Sequence, residues 1–228
     1  MRLRYATLAL VAFAAAGPAT AQDIGGSGFS WTGFYAGING GGGLFSSTTT
    51  DFSGYIQSGV DGAFPRTGMG ELVGGTAGVN VQVGDAVIGI EGDLAWSSFD
   101  NSASWNGGDI VDRPRWDWFG TVRARAGVAL DRGMVYATAG ALAANTHYFF
   151  GSLANAQYGY TAAAEGVVLG LAAGGGVEYA LTDHMTAKFE YLYLGLPTTH
   201  AFDGTVLPSP IDFQSSAQIV RVGLNYKF

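Results

Sequence analysis

Eight ionisable residues recur at a spacing that fixes where they point. Glu91 and Asp93, Arg123 and Arg125, and Lys188 and Glu190 are each separated by one residue, and Glu178 and Arg221 sit in runs of the same alternating kind. In extended chain, residues two apart share a side, so each pair projects together. Close carboxylates can share a proton and do acid–base work. Arginines beside them hold them ionised instead. Glu91, Asp93, Glu178 and Glu190 are balanced by Arg123, Arg125, Lys188 and Arg221, so the expected chemistry is an internal ion-pair network that fixes register and fills an interior. The same charges read the other way as a gate, with pairs exchanging partners to pass ions.

Other chemistries have weaker support. His147, His184 and His200 fall in two predicted loops and a turn, with no H-x-x-x-H pair among them. Neither Gly40–Gly43 nor Gly174–Gly176 is followed by the Lys-Ser/Thr of a phosphate loop; close strand approach is the plainer reading. No G-x-S-x-G elbow appears, and with 0 cysteines neither disulfides nor thiol chemistry arise. No catalytic residue, cofactor or metal ligand is expected.

The elements that would carry the charges are strands. In the last stretch, Val220, Val222, Leu224, Tyr226 and Phe228 form an apolar face, and Arg221, Gly223, Asn225 and Lys227 a polar one. The same alternation predicts strands at about Trp31–Leu44, Met69–Val83, Ala86–Ser97, Trp116–Leu130, Met134–Ala144, Val167–Leu181 and Met185–Leu194. Gly84-Asp85, Asp131-Arg132-Gly133 and Thr182-Asp183-His184 are short turns. Phe45–Gly68, Ser98–Arg115, Asn145–Gly166 and Gly195–Asp212 are long loops. Short and long connections alternate strictly, the asymmetry of a membrane barrel. The fold predicted is all-β: an eight-stranded antiparallel up-and-down transmembrane β-barrel, lipid outside and polar side chains within. Adjacent strands would set Glu91 and Asp93 opposite Arg123 and Arg125, Glu178 near Lys188 or Glu190, and Arg221 beside them. Tyr136 and Thr138 are placed inside. Trp31, Phe34, Trp96, Trp118, Tyr179, Phe189, Tyr191, Tyr226 and Phe228 read as interfacial girdles. Tyr148, Phe149, Phe150, Tyr158 and Tyr160 read as rings packing on strand extensions above the membrane, or as an adhesive patch. The competing architecture is a secreted lipocalin-type barrel with its apolar face inward.

Met1-Arg2-Leu3-Arg4, an apolar run to about Ala16 and Ala19-Thr20-Ala21 read as a secretory signal peptide, cleaved after Ala21. Residues 22–30 form a Gly/Ser-rich lead and 31–228 the barrel. Cleavage takes Arg2 and Arg4 from 11 basic residues and leaves all 18 acidic ones, so nucleic acid is a poor partner.

Trp31-Thr32-Gly33-Phe34-Tyr35-Ala36-Gly37, Gly176-Val177-Glu178-Tyr179-Ala180-Leu181-Thr182-Asp183, Glu190-Tyr191-Leu192-Tyr193 and the Phe-terminated last strand resemble the small outer-membrane β-barrels labelled "porin family". These are similar to the OmpA transmembrane region and opacity-type surface antigens. The resemblance implies a cell outer-membrane location, no enzymatic activity, and roles in envelope integrity or surface contact. The reading is a structural barrel, monomeric, in outer-membrane lipid, its lumen plugged by the charge network. A small pore for ions or solutes is the alternative, as is a binder of extracellular or host-surface ligands through the loops.

Overall fold

Alternation of apolar and polar residues through most of the chain produces strands with two unlike faces, and their edges close on one another. The computed structural model describes residues 29–51, 62–105, 110–152, 161–201 and 211–228. These form β1 (Gly33–Asp51), β2 (Gly62–Val83), β3 (Ala86–Asp100), β4 (Ala103–Trp105), β5 (Ile110–Asp112), β6 (Arg115–Leu130), β7 (Gly133–Ser152), β8 (Thr161–Ala180), β9 (Met185–Gly195), β10 (Thr199–Ala201) and β11 (Ile211–Lys227). No helix occurs among the described residues. The proposed signal peptide and most of the lead lie outside them, as do Tyr158 and Tyr160.

Strands β1, β2, β3, β6, β7, β8, β9 and β11 pair in that order, all antiparallel, and β11 pairs back with β1. The result is a closed 8-strand barrel. One end carries the tight turns. Gly84 at φ 60° and Asp131 at φ 56° adopt the left-handed backbone that short hairpin turns demand.

Burial decides which way the barrel is turned. Leu169 and Leu171 are 70% and 73% exposed, whereas Arg123 and Arg221 are 1% and 0% exposed. Apolar side chains outside and charges inside suit a barrel in lipid. The lipocalin alternative requires the reverse and is set aside.

The strands are longer than the alternation predicts. β2 spans 22 residues and β7 and β8 span 20 each, against the roughly 9–11 that cross a bilayer. Most of each predicted long loop beside these strands is strand extension above the membrane, with β4, β5 and β10 added. Phe45, Ser47 and Thr49 all point inward and are buried, so the Ser/Thr run read as loop continues the pleat. Thr suits a strand, but with water outside both faces turn polar and the apolar alternation that marks a strand fades.

Two register shifts, between Trp96 and Phe99 and between Trp116 and Trp118, re-aim the ends of β3 and β6. The second shift turns Trp116 inward to join Phe99 and Phe119, which keep the inward parity of Glu91 and Arg123; all three are fully buried. Trp31 is also a correction: at 3% exposure it lies inside the barrel mouth, not in a girdle. Phe34, Trp96, Tyr179, Phe189, Tyr191, Tyr226 and Phe228 are exposed on the outer face. Tyr148 stacks on Phe213 of β11 at 5.0 Å, a contact between two extensions.

Candidate functional site: a layered barrel interior

The residues that alternate inward make room for one another by pairing large with small. Opposite Arg221 stands Gly41, opposite Arg123 Gly140, opposite Glu91 Gly78, opposite Glu190 Gly176 and opposite Lys188 Gly223. At Gly140 a Cβ would lie 2.1 Å from the Val122 carbonyl oxygen and 2.6 Å from the Arg123 Cα. Only glycine allows the strands to coil this tightly beside a buried guanidinium.

All eight candidate residues meet in the middle of the lumen, at 8% exposure or less. Glu91 is the hub. Its Oε1 accepts from Arg123 Nη2 at 2.7 Å, and both its oxygens accept from Lys188 Nζ at 2.9 Å. Tyr35 Oη donates to Glu91 Oε2 at 2.8 Å and accepts from Arg125 Nη1 at 2.9 Å. Arg123 also donates to Asp93 Oδ2 at 2.8 Å and to Glu190 Oε1 at 3.2 Å. Arg221 donates to Glu190 Oε2 at 2.7 Å and to Asp93 Oδ2 at 3.1 Å. Arg125 Nη2 donates to Glu178 Oε2 at 2.7 Å, and its guanidinium lies 4.0 Å from the Tyr136 ring centroid. Charges taken from water are tolerable when each is paired with an opposite one, although Asp93 Oδ1, Arg125 Nε and Arg221 Nη1 find no hydrogen-bond partner here.

The partners differ in part from those the register suggests. Glu91 does lie opposite Arg123. Asp93 lies opposite Thr121, which donates to it at 2.7 Å. Glu178 lies opposite Lys188, yet Glu178 takes Arg125 while Lys188 reaches Glu91. An eight-stranded lumen is about as wide as its side chains are long, so long side chains cross it and bond to strands that are not neighbours. Tyr35, Thr121, Thr186 and Asn225 complete the network. Strand parity could have found them, since each sits on an inward face.

The interior is not polar throughout, contrary to expectation. Beyond the charges, toward the strand extensions, lies an apolar layer of Phe45, Leu72, Phe99, Trp116, Phe119, Leu142, Leu192, Leu194 and Ile219. Above it is a second polar level. Arg66 of β2 pairs with Asp112 of β5, and Thr49 of β1 donates to Asp112 Oδ2 at 2.8 Å. Burial raises the Asp112 carboxyl above its ordinary range, with Arg66 pulling the other way. At the turn end, Phe29, Trp31, Val87, Ala129, Met134, Tyr136 and Ala180 form another apolar cluster.

The histidines stay apart from the interior. His147 lies in β7 rather than in a loop, with Nε2 2.8 Å from Asp117 and Nδ1 3.4 Å from Glu165. His200 in β10 faces Asp212, and His184 Nδ1 lies 3.1 Å from the Lys227 carbonyl oxygen.

Comparison with known proteins follows the same lines. A family model described as "Outer membrane protein beta-barrel domain" matches residues 6–228. The 31 kDa outer-membrane immunogenic protein of Brucella melitensis is 37% identical over 210 residues, covering 88% of this chain and 85% of the relative. The 25 kDa outer-membrane immunogenic protein of Brucella canis is 30% identical over 156 residues, covering 68% and 64%. Among solved structures, Neisserial surface protein A aligns at 14% identity and TM-score 0.40, covering 86% of this chain and 98% of that one.

Proposed function

This chain belongs to the outer-membrane β-barrel protein family and resides in the outer membrane, and from that premise we propose that it is a closed structural barrel. It anchors in the bilayer, carries long strand extensions and their loops to the cell surface, and contributes to envelope integrity without passing solutes or catalysing a reaction. The observation that carries this reading is the stacking of two unlike barriers in one narrow lumen. The charge network balances four acids with four bases, leaving no excess of one sign to select ions. The apolar layer beyond it would strip water from any ion that reached it. Surface display is supported by the relatives, which are named immunogenic proteins. Long side-chain clasps between the extensions, Tyr148 on Phe213 and Arg66 on Asp112, suit a rigid platform for surface contacts.

Planar-bilayer recording of the refolded mature protein tests the reading. Silence under voltage is expected at protein levels that give steady currents from a known pore. Stable unitary openings would replace this reading with that of a small ion pore.

A further inference from the structure

We propose that Phe29–Trp31 is a periplasmic cork, a detachable apolar stopper that controls access from the periplasm to the charge network. The proposal rests on the outer-membrane reading, which puts the tight-turn end of the barrel in the periplasm. Phe29 and Trp31 are 8% and 3% exposed and meet edge to face at 4.8 Å. They fill the turn-end mouth against Val87, Ala129, Met134, Tyr136 and Ala180.

The segment is held differently from the paired strands. Ladder pairing of β1 with β2 begins only at Gly33. Before that, the chain hangs on side chains: the Trp31 N–H donates to Gln82 Oε1 at 2.8 Å, and the Gln82 N–H to Thr32 Oγ1 at 3.0 Å. Lys227 Nζ donates to the Ser30 carbonyl and sits 4.7 Å from the Phe29 ring centroid, with the Arg132 guanidinium at 6.0 Å. Gly33, at φ 134°, supplies a backbone conformation open to glycine and unfavourable to other residues. A segment with a glycine joint and no ladder bonds can leave while the strands stay paired.

What it covers is polar. Just inside the mouth lie Asn80 and Asn225, both nearly fully buried, each with an unpartnered amide oxygen, and the Arg125 Nε is likewise unpartnered. Such atoms are satisfied by water when water can reach them. The cork also rests on the residues that hold the network: Met134 Sδ is 4.0 Å from Arg125 Nη2, and Tyr136 packs under Arg125 while donating to Glu190 at 2.9 Å. Lifting the cork therefore opens a hydrated vestibule that ends at the charge network.

The chain has 0 cysteines, so single reporters can be read cleanly. Asn80→Cys and, separately, Thr186→Cys are placed in the full mature protein in oriented outer-membrane vesicles. A charged, membrane-impermeant methanethiosulfonate reagent is then added to one side or the other. With the native cork, modification from the periplasmic side should be slow. Adding Phe29→Ser with Trp31→Ser should speed it at least tenfold, and Lys227→Met should speed it by less. Heat-modifiable gel mobility shows that each variant is still a folded barrel. Equal rates with and without the cork, from both sides, would overturn the proposal. Acceleration only from the extracellular side would instead overturn the orientation on which the periplasmic assignment depends.

Discussion

At the scale of single residues, every charge in the network is answered by an opposite one, and most by more than one partner. Arg123 is fully buried and the base with the most hydrogen bonds, donating to Glu91, Asp93 and Glu190 and also to Thr121 and Thr138. Truncating one member of a buried ionic cluster costs more than the cluster itself contributes, because the others stay buried with less compensation. Arg123→Ala should therefore destabilise the folded barrel by about 3 kcal/mol or more, read as a lower urea midpoint in detergent or lipid. Adding Asp93→Asn should recover part of that loss, since it removes one of the stranded carboxylates. An unchanged midpoint for Arg123→Ala would show that the ion pairs do not hold the barrel together. The inward direction of these charges was legible in the sequence because a period of two survives any ambiguity of strand ends. Their partners were not, because partner choice is made across the lumen, where side-chain length matters more than register.

At the scale of elements, two local features set how far the sequence could be read. Within the bilayer, apolar and polar residues alternate because the two sides of a strand face different media, so strands and their facing were legible from Met69 to Val83 and from Met185 to Leu194. Above it both sides meet polar surroundings, and the extension from Phe45 to Asp51 carried no contrast to read. The apolar layer keeps the inward parity, Phe99 in step with Glu91 and Phe119 with Arg123; only Trp116 escapes it, because the extra residue at Trp116/Trp118 reverses parity there. Glycines are the other feature. They read as signs of close approach, and their pairing with large neighbours gives that reading a test. A side chain at Gly140 must displace the backbone of β6 at Val122 and Arg123, not a flexible tip. Gly140→Val should block refolding or give a barrel that loses its heat-modifiable mobility near ambient temperature. Gly62, where nothing lies within 4 Å, should accept alanine with no change in unfolding temperature.

At the scale of the whole molecule, the interior is a sequence of alternating seals: an apolar cluster at the turn end, the charge network, a second apolar layer, and the Arg66–Asp112 level beneath the loops. The lipid-facing surface and the layered core are thus written on alternate residues of the same strands. Redundant seals make a specific demand on conductance. Opening the network alone, with Glu91→Ala and Arg125→Ala together, should leave the barrel silent, because Phe45, Phe119, Leu192 and their neighbours still exclude water. Opening the apolar layer alone, with Phe119→Ser and Leu192→Ser, should also leave it silent, since the ion pairs still fill the waist. Only the combined variant should pass ions through both barriers, as unitary steps in a planar bilayer that sharpen when the cork is also removed. Current from the network variant by itself would mean that the charges are the gate and the apolar layer no barrier, and would return the protein to the class of small regulated pores.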